Sequence, residues 1–263
     1  MKIVVCMKQV VDLAQLRYKS DGRTPVLDGM PMILGDFEKN ALEEAVRIKE
    51  SRDDVQVIAL SVGSPKLKET IKEALAMGAD EAVLVIDPGM GAASASGSSH
   101  VLAAAVEKIG DVDLILLGEG SDDEYSGQVP SRMAAGLELP QITTVRELEW
   151  IGEARLRATR DLENTLEVME CDLPVVISVT SEMNTPRLPP LTAILKAGRK
   201  PIQEWTLADL NLEPQTVRSQ SDEIEALSNL APAQDRKNVM FEGTIGEQVE
   251  ALLRALEHEG VLS

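Results

Sequence analysis

The sequence predicts an α/β fold built on a parallel β-sheet, with β-hairpin insertions and an extended C-terminal arm. Three observations predict it. Four short apolar runs rich in β-branched residues, at 2–8, 55–62, 82–86 and 113–118, are bounded by Gly, Asp or Pro, as strands covered on both faces are. Stretches of helical period separate these runs. That alternation is satisfied by parallel strands joined through right-handed crossovers.

Lys2-Ile3-Val4-Val5-Cys6 opens the first strand. Ser20-Asp21-Gly22-Arg23, flanked by short strand-like pieces within 16–35, predicts a hairpin inserted before the first helix. Residues 37–51 follow as that helix, with Phe37, Ala41, Leu42, Ala45, Val46 and Ile48 apolar and Glu43, Glu44, Arg47, Lys49 and Glu50 polar. Ser64-Pro65 reads as the cap and first turn of a second helix running to Met77 and closed by Gly78. Residues 101–109 predict a third helix and 128–137 a fourth, with Gly136 near its end. A second hairpin joins 143–150 to 154–160 around Ile151-Gly152-Glu153, and 175–179 returns as a buried strand. Beyond Thr206 the residues Asp, Glu, Ser, Gln and Pro predominate, and helical period returns only at 245–256, through Ile245, Val249, Leu252, Leu253 and Leu256. Such a segment has too little apolar surface to fold on itself. Residues 1–205 are therefore expected to form the α/β domain and 206–263 an arm laid on a partner, with simple disorder of the tail as the alternative.

Composition narrows the function. Twenty-six basic residues against 44 acidic ones give a net charge of −18, which argues against nucleic acid and anionic membranes as main partners. Aromatics are 2% of the chain, so the core must be aliphatic. Two cysteines, Cys6 and Cys171, suggest a reducing compartment rather than a disulfide framework. A strand begins at the N-terminus without a signal-peptide pattern, and no apolar run reaches the roughly 18–20 residues of a membrane helix. The expected location is cytoplasmic.

In a parallel sheet, ligands bind beyond the carboxyl ends of the strands. Cys6-Met7-Lys8, Gly35-Asp36-Phe37-Glu38, Ser61-Val62-Gly63 and the stretch 118–129 converge there. The last reads Gly118-Glu119-Gly120-Ser121-Asp122-Asp123-Glu124-Tyr125-Ser126-Gly127-Gln128-Val129. A glycine ends the strand and small residues open a helix, which lets backbone N–H groups approach a phosphate. An ordinary loop-to-helix junction has the same pattern. The low-complexity stretch 91–99 lacks both the Lys-Ser/Thr of a P-loop and the G-x-G-x-x-G order; it is read as a connector, with a ligand-facing role as the alternative. Asp122, Asp123 and Glu124 are better read as a solvated loop than as a metal site. His100 and His258 have no catalytic company in the sequence, so no catalytic residue and no metal are assigned.

Several segments in register resemble the electron transfer flavoprotein β family. They are Val4-Val5-Cys6-Met7-Lys8-Gln9-Val10-Val11-Asp12, Ala41-Leu42-Glu43-Glu44-Ala45, Glu73-Ala74-Leu75-Ala76-Met77-Gly78-Ala79-Asp80, the 116–129 loop, Arg160-Asp161-Leu162-Glu163-Asn164 with Leu173-Pro174-Val175, and Asn184-Thr185-Pro186-Arg187 with Lys196-Ala197. The resemblance implies an adenine-nucleotide α-hydrolase-like, Rossmann-like domain in a heterodimer with an α subunit that holds the electron-carrying FAD. It implies AMP in the β chain, or a second FAD in electron-bifurcating, NADH-oxidising members. Positions matching the nucleotide contacts are Cys6, Phe37, Glu38, Val62, Gly118, Asp123, Ser126, Gly127, Gln128 and Val129. A dehydrogenase-docking loop corresponds to 187–196, with Arg187, Lys196 and the anchoring position Leu191. Arg160 and Asp161 match a charged pair that helps place the flavin domain. Electrons would come from acyl-CoA or other dehydrogenases and pass to a quinone oxidoreductase or another acceptor, the chain being a carrier rather than an enzyme.

Gly35-Asp36 stand where the family usually has Asn-Pro. Tyr125-Ser126-Gly127-Gln128-Val129 lies nearer the Thr-Ala-Gln-Val form of bifurcating relatives than the Asn-Gln-Thr form of AMP-binding ones, so the reading leans to a second FAD. The alternative is a lone adenine-nucleotide sensor of the universal-stress type, which would need neither the hairpins nor the acidic tail.

Overall fold

The computed structural model describes residues 1–88, 90, 94–219, 227–233 and 237–262. They fall into two compact units, one of residues 1–17 and 26–228, the other of 18–25 and 229–263. The strands are β1 (Lys2–Cys6), β2 (Gln9–Val11), β3 (Arg17–Tyr18), β4 (Pro25–Val26), β5 (Met32–Leu34), β6 (Gln56–Gly63), β7 (Glu81–Ile86), β8 (Leu114–Gly118), β9 (Gln141–Trp150), β10 (Arg155–Leu162), β11 (Thr165–Asp172), β12 (Val175–Val179) and β13 (Ile202–Trp205). The helices are α1 (Asp36–Ser51), α2 (Leu67–Met77), α3 (Ala95–Ile109), α4 (Val129–Gly136), α5 (Leu191–Ala197), α6 (Pro214–Ser219) and α7 (Ile245–His258).

The first unit is organised by a nine-stranded sheet in the order β11-β10-β9-β12-β8-β1-β6-β7-β13. From β9 through β13 the pairs are parallel, while β10 and β11 add on antiparallel. The sheet confirms the parallel α/β class. Its alternating side chains build two cores. Ile3, Val5 and Val57 face α1 and α2 with Leu42, Ile71 and Leu75, whereas Val4, Cys6, Ile58 and Ile115 face α3 and α4 with Val101, Val106 and Met133. The chain moves outward from β1 to β6 and β7, then returns to β1's other side as β8. The crevice at the carboxyl ends of β1 and β8 is therefore the topological switch point where such sheets bind ligands.

Several expectations are corrected. Helix α2 begins at Leu67 without a side-chain cap, and Ser64-Pro65 forms a preceding turn in which Leu67 N–H donates to the Ser64 carbonyl at 3.1 Å. Gly78 does close the helix, at φ 143°, where Val46 leaves no room for a Cβ. Helix α3 starts at Ala95 rather than 101, because the Ser94 side chain accepts a hydrogen bond from Gly97 N–H and caps it. Residues 95–99 of the supposed connector are thus helical, and 91–93 lie outside the described residues. The first inserted hairpin is two two-stranded sheets, β2 paired antiparallel with β5 and β3 paired with β4. The second gains a third strand, β11, through a two-residue Glu163-Asn164 loop between paired Leu162 and Thr165.

The acidic stretch after Thr206 carries its own anchors. Leu207, Leu210 and Val217 are buried in the core beside α3, their apolar side chains outweighing the polar composition between them. In the second unit Arg23 and Ala231 exchange hydrogen bonds, the Ala231 N–H to the Arg23 carbonyl at 2.9 Å and Arg23 Nε to the Ala231 carbonyl at 2.9 Å. Helix α7 begins with a capping box between Thr244 and Glu247, which satisfies donors at its start reciprocally. None of its residues is buried.

Candidate functional site

Close backbone packing makes the switch point. A Cβ at Gly118, the last residue of β8, would lie 2.5 Å from Phe37 Cβ. Only glycine lets the first turn of α1 come so close. A Cβ at Gly35 would meet Glu38 Oε2 at 2.0 Å, so a larger residue there would have to displace the Glu38 side chain. The 118–129 loop is braced from inside. Lys8 Nζ donates to Asp123 Oδ1 at 2.7 Å and to Ser121 Oγ at 3.1 Å, while Ser121 Oγ donates to Asp123 Oδ1 at 2.7 Å. Burial works against ionised Asp123, but Lys8 and Ser121 hold its carboxyl below the usual range. Asp122 Oδ2 accepts from Asp36 N–H at 2.8 Å at the head of α1. The acids of this loop are fasteners.

Gly127 then turns the chain at φ 64°, in the left-handed region that glycine enters at little cost. Helix α4 starts behind it with Gln128 as N-cap and no side-chain cap hydrogen bond. The first backbone donors of α4 therefore lack the usual side-chain acceptor, which is the arrangement a phosphate can complete. Arg132 bridges to this corner, its Nε 3.0 Å from Gln128 Oε1 and its Nη1 3.3 Å from Ser96 Oγ. Ser126 and Val129 flank the same turn.

Cys6 ends β1 and is buried, its thiol pushed up by burial and then by Glu38. It is a packing residue facing Met133, 3.9 Å from that sulfur. Val62 is half-buried near the end of β6. Glu38 is more unusual. It is buried, and its Oε2 has no hydrogen-bond partner, a rarity for a buried carboxyl oxygen. Burial, with Asp122 and Asp123 adding to it and Lys8 opposing, pushes its carboxyl up to about 8.

Protons at Glu38 link to stability with a definite sign. An unfolded chain releases this proton near the ordinary 4.5 and the folded chain near 8. The folded state thus binds more protons between those values, and stability falls as pH rises through that window. Glu38→Gln is expected to flatten this decline in a series of melting temperatures from pH 5 to pH 8, measured without nucleotide. An unchanged pH slope contradicts the assignment.

The segment matched to docking is helical rather than a loop from Leu191 to Ala197, with Pro190 as its N-cap. Its apolar side chains are open: Leu188 is 92% exposed, Leu191 70% and Leu195 70%. Lys196 lies in the last turn of the same helix. Arg187 is fixed to α1 instead, with Nε 2.8 Å from Glu43 Oε2 and Nη1 2.5 Å from Glu50 Oε1. Asn184 reinforces this, since Asn40 Nδ2 donates to its carbonyl at 2.7 Å. Arg160 and Asp161, adjacent on β10, do not pair with each other. Arg160 bonds Glu167 at 2.6 Å and the Thr143 carbonyl at 2.9 Å, whereas Asp161 bonds Arg146 at 2.7 Å. Neighbouring strand residues point to opposite faces, so each finds its own partner.

The sequence reading missed the bracing role of Lys8, the Arg132 bridge and the Glu43–Arg187 clamp. Their signal is three-dimensional, each contact except Arg132 to Gln128 joining distant parts of the chain. Among the described residues no helix is long and apolar enough to cross a membrane.

Comparison with known proteins bears on this geometry. The electron transfer flavoprotein domain model matches residues 26–210. The chain is 32% identical to the caffeyl-CoA reductase-Etf complex subunit CarD of Acetobacterium woodii over 263 residues, covering 100% of both chains. The chain belongs to the electron transfer flavoprotein β family. The electron transfer flavoprotein subunit beta of Thermoanaerobacterium thermosaccharolyticum is likewise 32% identical over the full length of both. That of Clostridium acetobutylicum is 37% identical over 213 residues, 81% of each chain. Membership makes this chain an electron-transfer subunit of a flavin-associated system.

Proposed function

We propose that the chain is the β half of a heterodimer whose α subunit holds FAD, and that its 118–129 loop holds an adenine nucleotide. The observation that carries this is the convergence at one switch point of Gly118 against Phe37, left-handed Gly127 and the uncapped start of α4. Unpartnered Glu38 Oε2 at the same edge supports it. Cys6 and Val62 line the ends of β1 and β6, Asp123 fixes the loop, and Ser126, Gln128 and Val129 present the turn to phosphate. The Ser126-Gly127-Gln128-Val129 sequence favours a second FAD over AMP. FAD supplies reversible electron-accepting chemistry, and AMP would fill the adenine part of the same site without it. The heterodimer would take electrons from a dehydrogenase, acyl-CoA dehydrogenases being one class, and pass them to a quinone oxidoreductase or another acceptor. The relative named as a subunit of a reductase–Etf complex supports assembly with a redox partner.

Docking is assigned to Leu188, Leu191 and Leu195, steadied by Arg187 on α1, with Lys196 beside them. Arg160 and Asp161 are assigned to placing the flavin domain. An exposed apolar anchor gains its energy only when a partner covers it. Leu191→Ala is therefore expected to slow flavin reduction by the donor dehydrogenase at least several-fold, with stability nearly unchanged. A stability loss of about 2–5 kcal/mol would mark a core residue instead. An unchanged reduction rate would remove docking from this helix.

A further inference from the structure

We propose that Tyr125 is a ligand-contacting residue whose ring, beside Phe37, receives the planar heterocycle of the nucleotide at the β8 loop. The inference rests on the nucleotide reading above. It deepens that reading by assigning one wall of the site to a residue not among the family's matched contacts.

Three restraints hold this ring in place. Its hydroxyl donates to Glu119 Oε1 at 2.8 Å. Its backbone is turned back at φ 45°, with its N–H donating to the Ser121 carbonyl at 3.0 Å. A missing side chain makes the room, since a Cβ at Gly120 would stand 2.6 Å from the ring. The ring thereby lies beside Phe37, with centroids 5.6 Å apart and planes tilted by 60°. Tilted pairs at this distance are attractive.

Burial does not account for so defined a placement, because Tyr125 remains 56% exposed. A surface tyrosine held at its hydroxyl, its backbone and its edge offers aromatic area at little further ordering cost. The neighbouring groups suit a heterocycle in particular. Phe37 packs against Gly118 at the end of β8, and the next residue, Glu38, keeps a buried oxygen without a partner. A flat ring with hydrogen-bonding atoms on its edge uses both kinds of surface. Adenine and isoalloxazine share that chemistry.

The test uses the full-length chain in complex with its α partner, titrated calorimetrically with AMP and separately with FAD. Tyr125→Ala is expected to weaken the nucleotide that binds about tenfold, equivalent to about 1.4 kcal/mol. Tyr125→Phe keeps the aromatic surface and is expected to bind within about threefold of the wild type, in the range expected for a retained stack. Where isoalloxazine is the stacked ring, the tyrosine is expected to quench its emission by electron donation, and Tyr125→Phe to restore emission while retaining binding. A weakening shared by AMP and FAD identifies the stacked ring as adenine, which both contain, and one confined to FAD identifies isoalloxazine. Wild-type affinity in Tyr125→Ala, while Gly127→Val loses binding, overturns the role of the ring and leaves the site intact. Equal weakening in Tyr125→Ala and Tyr125→Phe overturns stacking in favour of the hydroxyl. Normal binding in Gly127→Val overturns the nucleotide site itself.

Discussion

Removing residues 229–263 is expected to abolish co-purification with the α subunit while leaving the sheet unit folded. The cut spares Leu207, Leu210 and Val217, which belong to the core beside α3. It removes α7, whose Ile245, Val249, Leu252 and Leu253 are 83%, 49%, 44% and 47% exposed. These residues and Leu256 follow one helical stripe. A helix with a capping box at its start and an apolar stripe open to water is built to be covered. Fully burying each large aliphatic side chain is worth about 1.5–3 kcal/mol, so covering the stripe on a partner would strengthen association by several powers of ten. Size-exclusion chromatography of the co-expressed pair reads the outcome. A truncated chain that still elutes as a heterodimer removes the arm from the interface.

Gly127→Val is expected to strip the adenine nucleotide from the purified heterodimer while the flavin of the α subunit stays. The argument is one of backbone, not of space. A Cβ at position 127 would meet only the Glu119 carbonyl, at 3.8 Å, so packing tolerates it. The φ of 64° does not, because a β-branched residue is a true outlier in the left-handed region. Valine there costs about 1–2 kcal/mol of conformational energy, and the chain escapes it by rotating the turn. Rotation carries the N–H groups of 127–129 away from the phosphate they would cradle. Nucleotide extracted from the variant and separated by chromatography gives the count. An unchanged AMP or FAD content contradicts the loop assignment.

The parts of the molecule legible in the sequence are those with local causes. Strands β1, β6, β7 and β8 announce themselves by β-branched runs, and α1 by a two-sided pattern from Phe37 to Ser51. The helix at Val129 follows from small residues ahead of it. Strand β11 was not legible, because it is exposed along nearly all its length and lacks the buried alternation that marks a strand. Strand β13 has only Ile202 and Trp205 to declare it, and its pairing with β7 joins distant parts of the chain. Helix α3 was begun six residues late since Ser94 and Gly97 resemble a flexible linker until the cap hydrogen bond is seen. In the site, the order of residues along the 118–129 loop was readable. The contact between Gly118 and Phe37 was not, and neither was the closure of the loop by Lys8. Segments close in sequence could be read as neighbours, whereas β1 and β8 become neighbours only through the sheet order.

The central claim is that this electron-transfer subunit carries a nucleotide of its own. The most direct measurement is the number of adenine nucleotides released per heterodimer when the full-length chain is co-purified with its α partner and denatured. The account predicts two, one FAD from the α subunit and one nucleotide, FAD or AMP, from the 118–129 site. Release of a single FAD with no second nucleotide would contradict it.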